Sequence, residues 1–337
     1  MALACLFLSA CTPLTVSFEL FGREKKLTET VVDEDDRAVW KVAVIDIDGL
    51  IYDANLPALL AKGGNPADEI VARLNMAADD PGVKAVILRV NSPGGSVTGS
   101  DVVYSEIMRF KEKTGKPVVV SMSEVAASGG YYVSLAGDKI IAYPTTITGS
   151  IGVIIPTINF SNGLNRIGIV ARSVKSGPNK DLANSLEPMR ESQYAILQNL
   201  VDEFYANFKA KVKERRPNAD MTRFDQATDG RIFSGREGVS LGLVDSLGGI
   251  HDAFDEAKIL ANIPSAKMVK YRPEGAIRPR SPYASANEPM VAPQMTQPGG
   301  TSGGTEINLL QINAQGLYPA SGPAPSAVYY LWLAGEP

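Results

Sequence analysis

The feature that most constrains the fold is a series of short, mostly apolar runs separated by helical patterns. The run Val83–Val90 is almost continuously apolar, which is typical of a strand that a parallel sheet buries on both faces. Three further runs have the same character and also predict strands: Val42–Ile47, Pro117–Met122 and Lys139–Ala142. Strands that alternate with helices in this way predict an α/β fold with right-handed crossovers.

The segments between these strands predict helices. Asn65 stands before Pro66, which predicts an N-cap followed by proline at the first helical position. Further helices are predicted over Val97–Phe110, Tyr131–Ala136, Met189–Arg215 and about Ile250–Ala261. Two more apolar runs predict additional strands, over Ile151–Ile155 and Ile167–Val174.

The amino terminus has the pattern of an export signal. Residues 2–10 are apolar and small, and this run is too short to cross a bilayer, which takes about 20 residues. Leu8–Cys11 resembles the bacterial lipobox, which predicts lipidation of Cys11. No Lys or Arg precedes Arg23, so the stub of a transmembrane anchor is the alternative. Both interpretations place the body outside the cytoplasm, in the cell envelope and tied to a membrane.

The sequence predicts one catalytic domain between two appendages. Residues 1–10 are predicted to form the signal peptide. Residues 11–40, which include the acidic run 33–36, are predicted to form a tether. The domain occupies 41–272. Residues 273–337 are a Pro/Gly-rich linker and an apolar tail, whose end, Tyr329–Leu333, is predicted to dock on the body or on a neighbouring subunit.

Composition excludes several classes of site. Both cysteines lie within the first eleven residues, so the body has no disulfide framework and no cysteine nucleophile. His251 is the sole histidine, and its expected role is that of a surface side chain. Asp46 and Asp48 have no partner cluster and read as acids of a turn region, so neither a metal nor a cofactor is expected. The net charge of −4 argues against nucleic acid as a partner.

Two glycine-rich turns follow predicted strands. Asn91–Gly95 follows the second strand, and its glycine amides are suited to hold an oxyanion, although a plain connecting turn has the same pattern. Ala126–Gly130 follows the third strand and opens a helix. Serine at a strand-to-helix turn has the arrangement of a nucleophile elbow, with an N-cap role for Ser128 as the alternative.

Two later turns add a second polar group and a base. Thr148–Gly152 contains Ser150, whose hydroxyl can hydrogen-bond a catalytic group. Ser176–Asp181 contains Lys180, and a lysine that is neutral can replace histidine as general base. Without the other turns, the pattern around Lys180 would predict only a solvated lysine in a loop.

Together the four turns resemble the bacterial signal peptide peptidase A family, the protease IV type of serine peptidases, in its short form. The resemblance runs from about Lys41 to Tyr271 and includes Arg231–Gly249. It implies an α/β fold like that of the Clp proteolytic subunit and the crotonases, built of stacked β-β-α units.

The resemblance also implies roles for individual residues. Ser128 would be the nucleophile and Lys180 the general base, with oxyanion donors at Gly95 and Gly129 and with Ser150 orienting Lys180. It implies a homo-oligomeric ring in which one site takes residues from two subunits. The implied substrates are signal peptides left in the membrane after export, and misfolded exported proteins as unfolded peptide segments.

Two other functions remain open at this stage. A crotonase-like acyl-CoA enzyme would share the fold and an oxyanion hole, but it would have no use for Ser128, Lys180 or an export signal. A catalytically silent scaffold that binds membrane proteins is the third interpretation. Binding of CoA and labelling of Ser128 by a serine-reactive probe discriminate among the three.

Overall fold

The computed structural model describes residues 26–54, 65–285 and 329–331. The predicted signal peptide 1–10, the predicted lipidation site Cys11 and most of the predicted tail 273–337 lie outside the described residues.

Ten strands are present in the described residues. They are β1 (Leu27–Glu34), β2 (Trp40–Ile51), β3 (Val83–Ser96), β4 (Val118–Ala127), β5 (Lys139–Ala142), β6 (Ile147–Gly149), β7 (Ile232–Ser234), β8 (Ser246–Leu247), β9 (Ala266–Pro273) and β10 (Tyr329–Leu331).

Eight helices accompany them in the same part of the chain. They are α1 (Pro66–Asp79), α2 (Val97–Thr114), α3 (Gly129–Ser134), α4 (Ser161–Arg166), α5 (Glu191–Arg215), α6 (Phe224–Ala227), α7 (Gly235–Ser240) and α8 (Ile250–Leu260). The predicted N-cap of α1 is confirmed, since the Asn65 side chain accepts from the amides of Ala67 and Asp68.

The strands form one sheet whose main path has the order β1-β9-β2-β3-β4-β5-β8. Neighbours from β9 to β8 pair in parallel, and β1 pairs antiparallel with β9. Beside the end of β4 lies β6, which pairs in turn with β7. The predicted α/β class is therefore confirmed.

Helices cover both faces of the sheet, as the apolar strands require. Successive residues of a strand point to opposite faces, so Ile45 of β2 joins the core under α1, α2 and α3, whereas Val44 joins the core under α8. Both side chains are fully buried. The central strands thus form a rigid frame, and the carboxyl ends of β3 and β4 come together at one edge of it.

The sheet contains a buried ion pair where the sequence predicted turn acids. Lys270 Nζ of β9 lies 2.8 Å from Asp46 Oδ1 of β2, and neither side chain is accessible to solvent. Arg89 of β3 adds a second contact to Asp46 at 3.3 Å. Burial lowers the pKa of Lys270, because desolvation disfavours the ammonium more than the attraction of Asp46 restores it. Asp46 therefore joins three strands, and the turn-region interpretation of it was wrong.

Three sequence predictions differ from the structure. Residues 27–34, assigned to the tether, form β1, because pairing with β9 satisfies a strand whose sequence alone is too polar to signal one. Ile167–Val174 is not a strand; it is irregular and exposed, since no described strand offers it a partner. Ile151–Ile155 contains only an isolated bridge, and the strand lies earlier, at β6.

No helix among the described residues is both long enough and apolar enough to cross a membrane. Within the same ranges, no group of three or more His, Cys, Asp or Glu side chains is arranged to hold a metal ion.

Candidate active site

Ser128 lies at the junction between β4 and α3, where the sequence predicted an elbow. Its amide donates to the carbonyl of Gly149 at 2.8 Å, and its own carbonyl accepts from the amide of Tyr132 at 2.8 Å. The residue is therefore held on one side by β6 and on the other by the first turn of α3.

The backbone of Ser128 has a conformation that is rare for a residue with a side chain. Its φ is 53° and its ψ is −115°. Such a conformation costs about 1–3 kcal/mol and persists only where the surroundings impose it. We infer that the two backbone hydrogen bonds impose it here, and the strain is typical of a serine presented for reaction.

The hydroxyl of Ser128 is buried and uncommitted. The residue is 1 % exposed, and its Oγ has no hydrogen-bond partner among the described residues. It occupies the N-cap position of α3 but makes no capping hydrogen bond. The alternative that Ser128 serves as an N-cap was therefore wrong. A buried hydroxyl without a partner costs about 1–3 kcal/mol, so its presence favours a role in binding or catalysis.

The backbone next to Ser128 is packed too closely for side chains. A Cβ on Gly129 would lie 3.1 Å from the amide nitrogen of Gly95 and 2.4 Å from Ser100 Oγ. A Cβ on Gly95 would lie 1.9 Å from the carbonyl oxygen of Ile51. The two predicted oxyanion segments therefore do meet beside Ser128, and we call this contact of Gly94, Gly95 and Gly129 the glycine floor.

Gly94 and Gly95 reach this position in a different way from the predicted turn. Strand β3 continues to Ser96, and its register shifts against β4 between Val90 and Ser92. Gly94 has a φ of 108°, which only glycine adopts readily. Its amide donates to Ser92 Oγ at 3.1 Å, and that hydroxyl donates to Gly49. The glycines here permit close packing of an irregular strand and do not reverse the chain.

Ser150 directly follows Gly149, the residue whose carbonyl accepts from the amide of Ser128. It follows β6, whose last residue, Gly149, pairs with Ala127. Ser150 also has a positive φ, 50°, and its amide donates to the carbonyl of Arg231 at 2.7 Å. Its function as the residue that orients Lys180 stays a prediction.

Lys180 is not brought to Ser128 within one chain. It lies in a segment, residues 152–190, that connects β6 to α5 and that we call the arm. Lys180 is exposed, and its amide closes a turn by donating to Gly177 at 3.3 Å. Because Ser128 Oγ has no partner in the described residues, the Lys180 ammonium is not bonded to it.

His251 is located in α8, on the opposite face of the sheet from α3. Its side chain is 54 % exposed, and Nδ1 lies 3.3 Å from Asp33 Oδ2 of β1. Its ring meets Tyr283 edge-on at 5.9 Å. No hydrogen bond joins it to Ser128, so the sole histidine forms no serine–histidine pair within the described residues.

Two family models and several known proteins match this chain. The model of peptidase family S49 matches residues 110–264, and the Clp protease model matches residues 63–153. A protein named "Putative signal peptide peptidase SppA" from Enterococcus faecium is 33 % identical over 77 % of this chain and 75 % of its own length. The chain belongs to peptidase family S49.

Longer relatives in the same family match over less of their own length. "Protease 4" of Haemophilus influenzae is 38 % identical over 66 % of this chain and 35 % of its own length. "Serine protease SPPA, chloroplastic" of Arabidopsis thaliana is 30 % identical over 76 % and 37 %. The chain therefore spans a little over a third of these two relatives.

Membership of S49 decides between two of the open functions. It makes the chain a serine peptidase with the Clp-protease-like fold, and the acyl-CoA interpretation has no support from the family matches. The sequence analysis missed one structural part of the site, Ser100, which is buried in α2 and packs against Gly129. It predicted that Tyr329–Leu333 docks on the body or on a neighbouring subunit, and Tyr329–Leu331 do dock on the body as β10, paired with β3 beside the glycine floor.

Proposed function

We propose that the protein is a membrane-tethered serine endopeptidase in which Ser128 is the nucleophile and Lys180 the general base. The observation that carries this proposal is the strained, buried Ser128 with a hydroxyl that has no partner, set beside the glycine floor. Family S49 membership supports the reaction class.

In this mechanism a neutral Lys180 takes the proton of Ser128 as Oγ attacks the peptide carbonyl. The negative charge that develops on the carbonyl oxygen is stabilised by the amides of Gly95 and Gly129, and each such donor contributes about 10²–10³ in rate. Lys180 then gives the proton to the leaving amine. Water, activated by the same lysine, hydrolyses the acyl-enzyme, and Ser150 holds Lys180 in place.

The substrate is bound as an added strand. The pairing of β3 with β4 ends at Ser92 opposite Ala126, so beyond that point β3 can take an antiparallel partner in place of β4, and β10 is such a partner at Gly94–Ser96. An extended peptide that pairs there presents its carbonyl to Ser128 through backbone hydrogen bonds, without a demand on side-chain shape. This suits signal peptides released after export and unfolded segments of exported proteins.

A second copy of the chain completes the site. The arm carries large apolar side chains that stand in solvent: Ile154, Ile158, Phe160, Ile167, Ile169, Val170 and Val174. Exposed apolar surface of this extent marks an interaction site. A cavity of about 510 Å³ between residues 153–157 and the start of α5, lined by apolar and polar side chains alike, lies beside this surface. The arm of one subunit would then deliver Lys180 to Ser128 of its neighbour in a homo-oligomeric ring.

Labelling with a fluorophosphonate probe tests the nucleophile. The wild-type protein should carry the label on the peptide that contains Ser128, and Ser128→Ala should carry none. Ser134 is a matched control, because it is equally buried in α3 but donates to the carbonyl of Gly130 at 2.7 Å. Labelling that persists in Ser128→Ala would assign the nucleophile to another residue, and an absence of label in the wild type would favour the silent scaffold.

Subunit mixing tests the shared site. Ser128→Ala and Lys180→Ala proteins are each inactive, and random exchange in a ring should restore about a quarter of wild-type activity, since half of the neighbours supply each intact residue. Exchange is verified independently by energy transfer between labelled subunits. If exchange occurs and activity stays absent, the dyad does not cross a subunit boundary.

The tether is tested at Cys11. Mass spectrometry of the wild-type protein should show acyl chains on this residue, and Cys11→Ala should lack them and detach from membranes. A wild-type protein without lipid at Cys11 would contradict the lipobox interpretation.

A further inference from the structure

Ser92 lies where β3 loses its regular pairing with both neighbouring strands. Between two paired positions, β2 has only Gly49 where β3 has Ser92 and Pro93. On the other side, the register of β3 against β4 shifts between Val90 and Ser92. Irregularities of this kind bend a strand and redirect the residues that follow. The path of β3 towards the glycine floor is therefore set at this point.

A single hydroxyl group bonds to both sides of this bend. Ser92 is fully buried, and its Oγ donates to the carbonyl of Gly49 at 2.6 Å and accepts from the amide of Gly94 at 3.1 Å. Both glycines have a positive φ, 74° for Gly49 and 108° for Gly94. Glycine adopts many backbone conformations at little cost, so a further contact is needed to select one of them. The Ser92 hydroxyl supplies that contact for both glycines.

Two further contacts join the same part of β3 to the surroundings of the nucleophile. The amide of Val125, three residues before Ser128, donates to Asn91 Oδ1 at 3.2 Å. A Cβ on Gly130 would lie 2.6 Å from the carbonyl oxygen of Ser92, so the start of α3 packs directly on this residue. Asn91 and Ser92 thus contact the strand before the nucleophile, the helix after it and the glycine floor.

We propose that Asn91 and Ser92 are positioning residues that hold the Gly95 amide in alignment with the Ser128 hydroxyl. Each acts through the main chain of another residue, Ser92 through Gly94 and Asn91 through Val125. The proposal rests on the proposed function, because the alignment matters only where negative charge develops beside the nucleophile.

Misalignment of one amide should affect the reaction more than the binding of substrate. An extended peptide is held by several backbone hydrogen bonds, so the tilt of a single amide costs little affinity. The charge on the carbonyl oxygen develops only towards the transition state, and it contacts that amide directly. Removal of a whole oxyanion donor costs about 10²–10³ in rate, so a displaced donor should cost less, about 10–100-fold.

Steady-state kinetics of Ser92→Ala test the proposal. The kcat for an extended peptide should fall about 10–100-fold, whereas KM should change by less than about 2-fold. Ser134→Ala is the matched control, because Ser134 is equally buried and also donates to a carbonyl, that of Gly130, at 2.7 Å. This control should lose stability in urea but keep the kcat of the wild type. An unchanged kcat in Ser92→Ala, or an equal fall in Ser134→Ala, would overturn the proposal.

Asn91→Ala provides a second variant in case Ser92→Ala does not fold. The substitution removes one acceptor from a half-buried side chain and leaves the Ser92 hydroxyl in place. The same pattern is expected, a lower kcat with little change in KM. A folded Asn91→Ala protein with the kcat of the wild type would contradict the positioning pair.

Hydrogen exchange separates this proposal from the peptidase proposal. Mass spectrometry should show faster exchange over residues 91–96 in Ser92→Ala, because the Gly94 amide loses its acceptor, and unchanged exchange there in Ser134→Ala. Unchanged exchange in Ser92→Ala would overturn the fixing of Gly94 by Ser92. If no protein cleaves peptide but exchange differs as expected, the peptidase proposal fails and the placement of Gly94 by Ser92 stands.

Discussion

The two halves of the proposed dyad lie in surroundings that differ in almost every physical respect. Ser128 is enclosed by β4, β6 and α3, with its amide and carbonyl both bonded and its backbone held in a strained conformation. Lys180 is exposed in an irregular arm whose apolar side chains face solvent, Ile167 being 71 % exposed. The first region is fixed by contacts within one chain, and the second makes no hydrogen bond to Ser128 Oγ within that chain.

This contrast indicates that the two parts of the proposed site are positioned in different ways. The elbow is preorganised by the folding of a single domain, because its constraints are backbone hydrogen bonds to adjacent strands. The arm is bonded to itself and to the start of α5, as where Asp181 accepts from Gln193, and none of its residues bonds to Ser128 Oγ. On the proposed shared site, its position relative to Ser128 depends on a neighbouring subunit. Isolated chains should therefore contain a formed nucleophile and an unpositioned base.

The largest expected effect is at the elbow. Ser128→Ala should reduce peptide hydrolysis at least about 10⁴-fold, as loss of a nucleophile does. Its stability in urea should not fall, because the substitution removes a buried hydroxyl without a partner. Ser128→Gly should be the more stable of the two variants, since glycine adopts a φ of 53° without strain. A Ser128→Ala protein that is markedly less stable than wild type would contradict the conclusion that the Ser128 hydroxyl makes no stabilising hydrogen bond.

The next largest effect is at the base. Lys180→Ala should lower kcat about 10³-fold without a change in stability, because the side chain is exposed. Lys175→Ala is the matched control: Lys175 lies in the same arm and pairs with Asp181, so its loss should leave kcat within a few-fold. A kcat that falls equally in both variants would assign the effect to the arm as a whole.

A pair of glycines compares the two regions directly. Gly95→Ala should cost about 2–3 kcal/mol of unfolding free energy, because its Cβ would meet the backbone of Ile51. It should also lower activity. Gly177 in the arm has open space around it, so Gly177→Ala should change stability by less than about 0.5 kcal/mol. Urea denaturation measures the free energy of unfolding of both variants. A similar loss of stability at the two positions would contradict the difference in packing between the glycine floor and the arm.

The smallest effect concerns the ion pair that fastens the end of α5 to the body. Arg216 donates to Asp245 at 2.8 Å, and the amide of Ile140 donates to the same carboxylate at 2.7 Å. Burial raises the pKa of Asp245, but these hydrogen bonds outweigh it and hold the pKa below its ordinary value.

A carboxyl whose pKa is lowered by folding stabilises the protein above its unfolded pKa of about 3.9, and the contribution is lost as the pH falls through the folded pKa. Asp245→Asn should therefore cost about 1–2 kcal/mol near neutral pH. The difference from wild type should shrink below about pH 4. Urea denaturation from pH 3 to 7 measures this, and a cost independent of pH would show that packing, not charge, is lost.

The central sheet was predictable because its strands are buried on both faces and therefore carry a continuous apolar signal. Val83–Val90 and Pro117–Met122 correspond to β3 and β4. The edge strand β1 was not predictable, since its residues alternate with charges and its identity depends on pairing with β9. Ile167–Val174 shows the converse error, because an apolar β-branched run forms a strand only where another strand accepts it.

The elbow was predictable for a similar reason. Serine between a strand and a glycine-led helix has few possible conformations, so the local sequence predicts the placement of Ser128 and Gly129. The placement of the proposed base was not predictable, because Lys180 lies in a long irregular connection whose conformation no local pattern in the sequence fixes. Composition left a single histidine, but it did not fix where the proposed lysine base would lie.

The glycine floor has a consequence for anyone who wishes to redesign selectivity. Its surface is made of main chain, so it offers no side chain to exchange, and adding even a methyl group at Gly95 or Gly129 would collide with neighbouring atoms. New preferences for substrate sequence can therefore arise only from the walls around it, so libraries should be directed to the start of α2 and to the arm.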